Sequence, residues 1–97
     1  MSTAKLLVPD EVAGVIRELH PDLKKKIKTG LKIILANPSE GKALKSDLSG
    51  LNSFRVGKFR IVYKIQGAVV AIIAIGPRKT IYEETARLVR KQTDTAS

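Results

Sequence analysis

The run SFRVGKFRIVYKI, Ser53 to Ile65, places Arg55, Lys58, Arg60 and Lys64 within one short stretch. A second run, GPRKTIY, carries Arg78, Lys79 and Tyr82. Residues of these types recognise anions. The planar guanidinium of Arg matches phosphate with two parallel hydrogen bonds, and Lys supplies a mobile point charge. A phenol can hydrogen-bond, stack on a base or handle a proton. Cations and a phenol together can stabilise a phosphorane-like transition state electrostatically. They do not include a side chain that ordinarily titrates near neutrality.

Other chemistries are poorly served. The one histidine, His20, lies in an acidic segment beside Pro21 and reads as structural or solvent-exposed. Cysteine is absent, which excludes disulfides and thiolate metal sites and fits a reducing cytoplasm. No GxSxG, P-loop or metal-spaced cluster is present. Glu83 and Glu84 are adjacent on an expected helix, so they diverge and make a poor metal site. Neither a metal nor a cofactor is expected. No apolar run approaches the roughly 20 residues that span a bilayer. The segment MSTAKLLVPDEV has no long apolar stretch of the signal-peptide kind. A cytoplasmic protein without a membrane partner is the expectation.

The net charge of +9 is concentrated in the middle of the chain. Residues 1–23 set Lys5 and Arg17 against Asp10, Glu11, Glu18 and Asp22, a net −2. Residues 24–64 hold eleven Lys and Arg against Glu40 and Asp47, a net +9, and residues 65–97 are at +2. Such a band suits a nucleic acid or an acidic protein partner, and equally a solubilising surface.

These residues need elements to position them. The 97-residue length fits one domain, 1–97, ending in a polar and frayed tail at about 92–97. Lys5 to Val8 reads as a first strand. Asp10 then reads as a helix N-cap, followed by Val12, Val15, Ile16 and Leu19 at helical spacing. A second helix is predicted from Pro21 or Asp22 to Ala36, with Leu23, Ile27, Leu31, Ile34 and Leu35 inward and Lys24, Lys25, Lys28 and Lys32 outward. Asn37-Pro38 stops it. Together they predict a helical hairpin. Residues 39–52 read as a loop pinned by Leu44, Leu48 and Leu51. Three antiparallel strands follow, turning at Gly57-Lys58 and near Gln66-Gly67-Ala68, and Tyr82 to Lys91 reads as a terminal helix. The fold class is α+β, with the helices expected on one face of the sheet and the other face open.

With Gly57 and Lys58 as a type II′ turn, Val56 pairs with Phe59, Arg55 with Arg60 and Phe54 with Ile61. Alternation then puts Phe54, Val56, Phe59, Ile61, Tyr63 and Ile65 on the helix side. Ser53, Arg55, Arg60, Val62 and Lys64 face the opposite way, with Lys58 at the tip. Facing arginines destabilise a sheet by a few tenths to about 1 kcal/mol. A bridging anion would remove that cost. Otherwise both splay into water, or one meets an acid such as Asp47.

The segments RVGKFRIVY and GPRKTIY resemble the RVGxYRxxY and GxRxxxY patterns of the RelE/ParE superfamily, toxins of bacterial type II toxin–antitoxin systems. The resemblance extends over about residues 5–90. It implies a small domain with an N-terminal strand, a helical hairpin, an antiparallel sheet and a C-terminal helix. It further implies a ribosome-dependent mRNA endoribonuclease, in which the 2′-hydroxyl attacks the neighbouring phosphate. By position Arg60, Arg78 and Tyr82 fall on the catalytic residues, and Arg55, Lys58, Lys64 and Lys79 are the RNA-binding candidates. Ser53 and Arg55 stand where the best-known members carry a catalytic lysine pair, and Pro77 where many relatives have His. The partners implied are an acidic cognate antitoxin, the ribosome with its messenger, and operator DNA reached only through the antitoxin complex. ParE-like members share the fold and act on DNA gyrase. A relative that has kept only antitoxin binding is the remaining alternative.

Overall fold

The computed structural model describes residues 5–96, with side chains placed for 5–90. The first strand, β1 (Lys5–Leu7), is followed by α1 (Asp10–Arg17) and α2 (Pro21–Ala36). Pro9, and not Asp10, holds the N-cap position of α1; Asp10 and Glu11 sit in its first turn, where negative charge complements the helix dipole. His20 turns out to be the cap of α2. Its Nδ1 accepts the Asp22 N–H at 3.3 Å, and Pro21 occupies the first helical position, where a missing N–H costs nothing.

The stretch expected as loop contains a short strand, β2 (Lys42–Ala43), between 3₁₀ turns at Pro38–Glu40 and Ser46–Leu48. Two residues pair there with Ser53 and Asn52, too few to show as alternation in the sequence. Leu44, Leu48 and Leu51 do pin the segment to the core. β3 (Asn52–Val56), β4 (Phe59–Gln66) and β5 (Val69–Pro77) complete a five-stranded sheet in the order β1-β5-β4-β3-β2. β1 runs parallel to β5 and the other pairs are antiparallel.

The β3–β4 register is Val56↔Phe59, Arg55↔Arg60 and Phe54↔Ile61, as the two-residue turn predicts. Gly57 has φ +59°, and Lys58 is not among the residues with positive φ, as a type II′ turn requires. Gly57→Ala is expected to cost about 1–2 kcal/mol, because a Cβ is disfavoured in this conformation. Urea unfolding of the two proteins checks this, and an unchanged midpoint would contradict it.

α3 (Ile81–Ala96) overturns the expectation of a sheet covered on one face only. On one side Val12, Ile16, Ile27, Leu31 and Ile34 of α1 and α2 meet Val56, Ile61, Tyr63, Val70, Ile72 and Ile75. On the other, Ile81 of α3 buries against Leu51, Val62 and Ala74, with Tyr82 and Val89 alongside. The continuously apolar β5 explains this, since such a strand needs cover on both faces. Pairing shifts between Val62↔Ala74 and Tyr63↔Ile72, and the extra residue, Ile73, turns to the α3 side with Ala74. Beyond the bulge Ile65, expected inside, is 42% exposed. α3 also continues to Ala96, through residues expected to be a frayed tail. No helix among the described residues is long and apolar enough to cross a membrane.

Candidate functional site

Hairpin register and α3 together build a cluster on the sheet face that α3 partly covers. Ser53 of β3 is 2% exposed and lies on the same face as Arg60 of β4. Arg60 donates from Nη1 to Ser53 Oγ at 3.3 Å. Tyr82 Oη lies 3.1 Å from the same Ser53 Oγ, and the Arg60 guanidinium carbon sits 5.9 Å from the Tyr82 ring centroid. That spacing is within cation–π range. The first turn of α3 holds Tyr82 in place. Ile81 is fully buried, Thr85 Oγ1 donates to the Ile81 carbonyl at 2.7 Å, and the Glu84 N–H reaches the Thr80 carbonyl.

Arg60 Nε is buried and has no hydrogen-bond partner among the described residues. Such a donor forfeits about 1–3 kcal/mol unless something arrives to accept from it. Within the described residues no carboxylate lies within ion-pair distance of Arg55, Lys58, Arg60, Arg78 or Lys79. Asp47 in particular does not neutralise either arginine of the facing pair. The cluster therefore holds a buried donor beside uncompensated positive charge, the arrangement that binds an acceptor-only anion.

Four of the other cations gather at the hairpin tip. Arg78 N–H donates to the Lys58 carbonyl at 2.9 Å, tying the end of β5 to the turn. Arg55, Gly57, Lys58, Pro77, Arg78 and Lys79 line a depression of about 360 Å³ there. Arg55 Nε donates to the Gly57 carbonyl at 3.2 Å, so its side chain lies along the turn. The expected residues thus fall into two neighbouring groups. One holds Arg60, Tyr82 and Ser53; the other holds Arg55, Lys58, Arg78 and Lys79. Lys64 joins neither, and lines a groove with Glu11, Asp47, Leu88 and Val89. Its strand continues past the bulge, away from the tip.

Ser53 is the member that residue-type reasoning passed over. A hydroxyl carries no charge and signals no chemistry by itself. Its face was nevertheless readable from alternation, two positions before Arg55. The buried Arg60 Nε had no sequence signal, because it depends on how α3 closes over the sheet.

The family model for the ParE toxin of the type II toxin–antitoxin system parDE matches residues 13–82. No functionally curated protein matches the chain in sequence. Among solved structures, a mutant Escherichia coli toxin RelE in the free state aligns with TM-score 0.74 at 19% identity, over 93% of this chain and 97% of that one. The Mycobacterium tuberculosis RelBE2 toxin–antitoxin complex aligns with TM-score 0.71 at 21% identity, over 78% of this chain and 99% of that one. The Staphylococcus aureus YoeB–YefM complex gives TM-score 0.63 at 22% identity, over 74% and 93%. At these identities the likeness is one of fold.

Proposed function

The chain belongs to the ParE toxin family, within the RelE/ParE superfamily of type II toxin–antitoxin toxins, and from that premise we propose that it blocks translation by cutting messenger RNA on the ribosome. The observation that carries this reading is Arg60: a guanidinium held between Ser53 and the Tyr82 ring, its Nε unpartnered and the cations beside it unneutralised by any carboxylate among the described residues. A phosphodiester here would pair with the guanidinium N–H groups that Ser53 leaves open and would offset the positive charge around them.

In this account Arg60 binds the scissile phosphate through its fork. Arg78, reached across the tip, shares the negative charge that grows on the phosphoryl oxygens as the 2′-oxygen attacks. Arg55, Lys58 and Lys79 steer the flanking backbone into the depression. Tyr82 completes the pocket on the α3 side. No step calls for a metal or cofactor. Lys64 has no part in cleavage in this scheme, because it lines a separate groove with Glu11 and Asp47. The cognate antitoxin would be acidic, covering part of the same basic surface, and operator DNA would be reached through that complex. The compartment proposed is the cytoplasm, where ribosomes are.

One observation favours a second reading: the family model that matches is the ParE model. Under it the chain acts on DNA gyrase and its cations meet an acidic protein or DNA surface. Timing separates the two. After expression without antitoxin, amino-acid incorporation is expected to stop within minutes, ahead of any DNA breakage, and Arg78→Ala is expected to relieve the arrest. Early DNA breaks with translation still running would transfer the account to gyrase. An Arg78→Ala variant that remains fully toxic would remove the phosphate role assigned to that residue.

A further inference from the structure

We propose that Ser53 is a positioning residue, whose hydroxyl links Arg60 to Tyr82 and sets the direction in which the Tyr82 hydroxyl donates. The inference rests on the phosphate site proposed above, and it gives Tyr82 a narrower role there.

A serine hydroxyl offers one hydrogen and two lone pairs, whereas a guanidinium only donates. Arg60 Nη1, 3.3 Å away, therefore takes one lone pair of Ser53 Oγ. Tyr82 Oη is 3.1 Å from the same oxygen, and the distance alone leaves the direction of that bond open. Burial decides it. Ser53 is 2% exposed and meets no other acceptor among the described residues, so its own hydrogen goes to Tyr82 Oη or is buried unpaired, at a cost the half-exposed Tyr82 does not face. Ser53 therefore donates to Tyr82, and the Tyr82 hydrogen is left for a third group. No other hydrogen bond of the Tyr82 hydroxyl is made among the described residues.

The chain of donation runs from Arg60 to Ser53 to Tyr82 and out of the protein. The Arg60 guanidinium carbon lies 5.9 Å from the Tyr82 ring centroid, so the Tyr82 hydrogen leaves the protein beside a positive charge. A donor next to a cation asks for an oxygen that is anionic and only accepts. A phosphoryl oxygen does so, whereas a ribose hydroxyl would bring a hydrogen of its own. Tyr82 accordingly holds a phosphoryl oxygen, and does not take the proton of the attacking 2′-hydroxyl. Ser53 makes and breaks no bond. It fixes Arg60 and the Tyr82 hydroxyl from a buried position.

The test combines single-turnover cleavage of ribosome-bound messenger RNA with ¹³C-labelled tyrosine NMR, for which the chain supplies only Tyr63 and Tyr82. Ser53→Ala is expected to lower the rate by about 10–100-fold while KM stays within about twofold. Ser53→Thr, which keeps the hydroxyl, is expected to recover most of the rate. Ser53→Cys, nearly isosteric but a weak donor, falls between them and covers the case in which the threonine methyl is not accommodated. The Tyr82 ring signal is expected to move in Ser53→Ala and return in Ser53→Thr, with the Tyr63 signal fixed throughout. An unmoved Tyr82 signal with a wild-type rate overturns the proposal. So does a rate loss that tracks melting temperature while both tyrosine signals shift together, since that is a folding defect. If the wild-type chain cuts no RNA, the proposed function falls, and the Tyr82 signal by itself decides the role of Ser53.

Discussion

Arg60→Ala is expected to lower cleavage of ribosome-bound RNA by about 10²–10³-fold, the range seen when a donor to a developing oxyanion is removed. The protein should fold as well as before, or slightly better. Arg60 stands directly across from Arg55, and losing one of two facing like charges returns a few tenths to about 1 kcal/mol. The unpartnered Nε disappears with it, and burying such a group is itself unfavourable. Against these gains stand the lost bond to Ser53 and the lost contact with the Tyr82 ring, so stability is expected to change little while activity falls steeply. Arg60→Lys keeps the charge but loses the planar fork, so it should recover only a small part of the rate. Thermal melting beside single-turnover kinetics checks both halves. A variant less stable than the parent by several kcal/mol would make Arg60 a structural residue instead.

The second large effect lies on the other side of the sheet. Tyr63 is fully buried; its hydroxyl donates to the Pro38 carbonyl at 2.6 Å and accepts the Gly41 N–H at 3.0 Å. Those two bonds tie the turn after α2 to the centre of the sheet. The fit is close, because a Cβ at Gly41 would run into the phenol ring at 2.9 Å. Tyr63→Phe removes one oxygen and leaves two backbone groups without their partner, a loss of about 2–4 kcal/mol. That is a large share of the 5–15 kcal/mol typical of a small domain. Cleavage by the folded fraction should persist, since Tyr63 faces away from the cations.

The same hydroxyl makes a prediction about alkaline pH. Burial raises the Tyr63 pKa above 10.0; the hydrogen bond from the Gly41 N–H acts in the opposite direction, and the Glu40 carboxylate adds to the rise. The folded chain therefore keeps a proton that the unfolded chain gives up. This contribution to stability is present in full below the unfolded value, and is lost as pH rises through the folded one. The stability gap between the parent and Tyr63→Phe should narrow above pH 10 compared with about pH 8. Urea unfolding of the pair at both pH values measures it, and a constant gap would contradict the assignment.

Much of this was legible from residue types and spacing. The hairpin register follows from Gly57-Lys58 and the alternation around it, which put Arg55 opposite Arg60. The bounds of α2 followed from Pro21 and Asn37-Pro38. Position on the far face of the sheet was less legible. Val62 was placed correctly on the cation side, yet it is fully buried there, because Ile81 and α3 cover it. Local pattern describes one element at a time, and which face a terminal helix takes depends on the area that β5 has left to bury. Lys64 shows the other limit. Alternation carried it onto the cation face, but its place near the far end of β4 puts it in a groove with Glu11 and Asp47, away from the tip. Ser53 was visible as a position and invisible as a partner, since its importance lies in two hydrogen bonds made by residues distant in sequence.

The central claim is that the Arg60 site takes RNA. Primer extension on a translated messenger, with the purified chain and ribosomes, tests it most directly, with a gyrase supercoiling reaction run on the same preparation. New 5′ ends inside the reading frame, absent with Arg60→Ala and absent without ribosomes, are the predicted result. An intact messenger together with gyrase-dependent DNA breaks would contradict it.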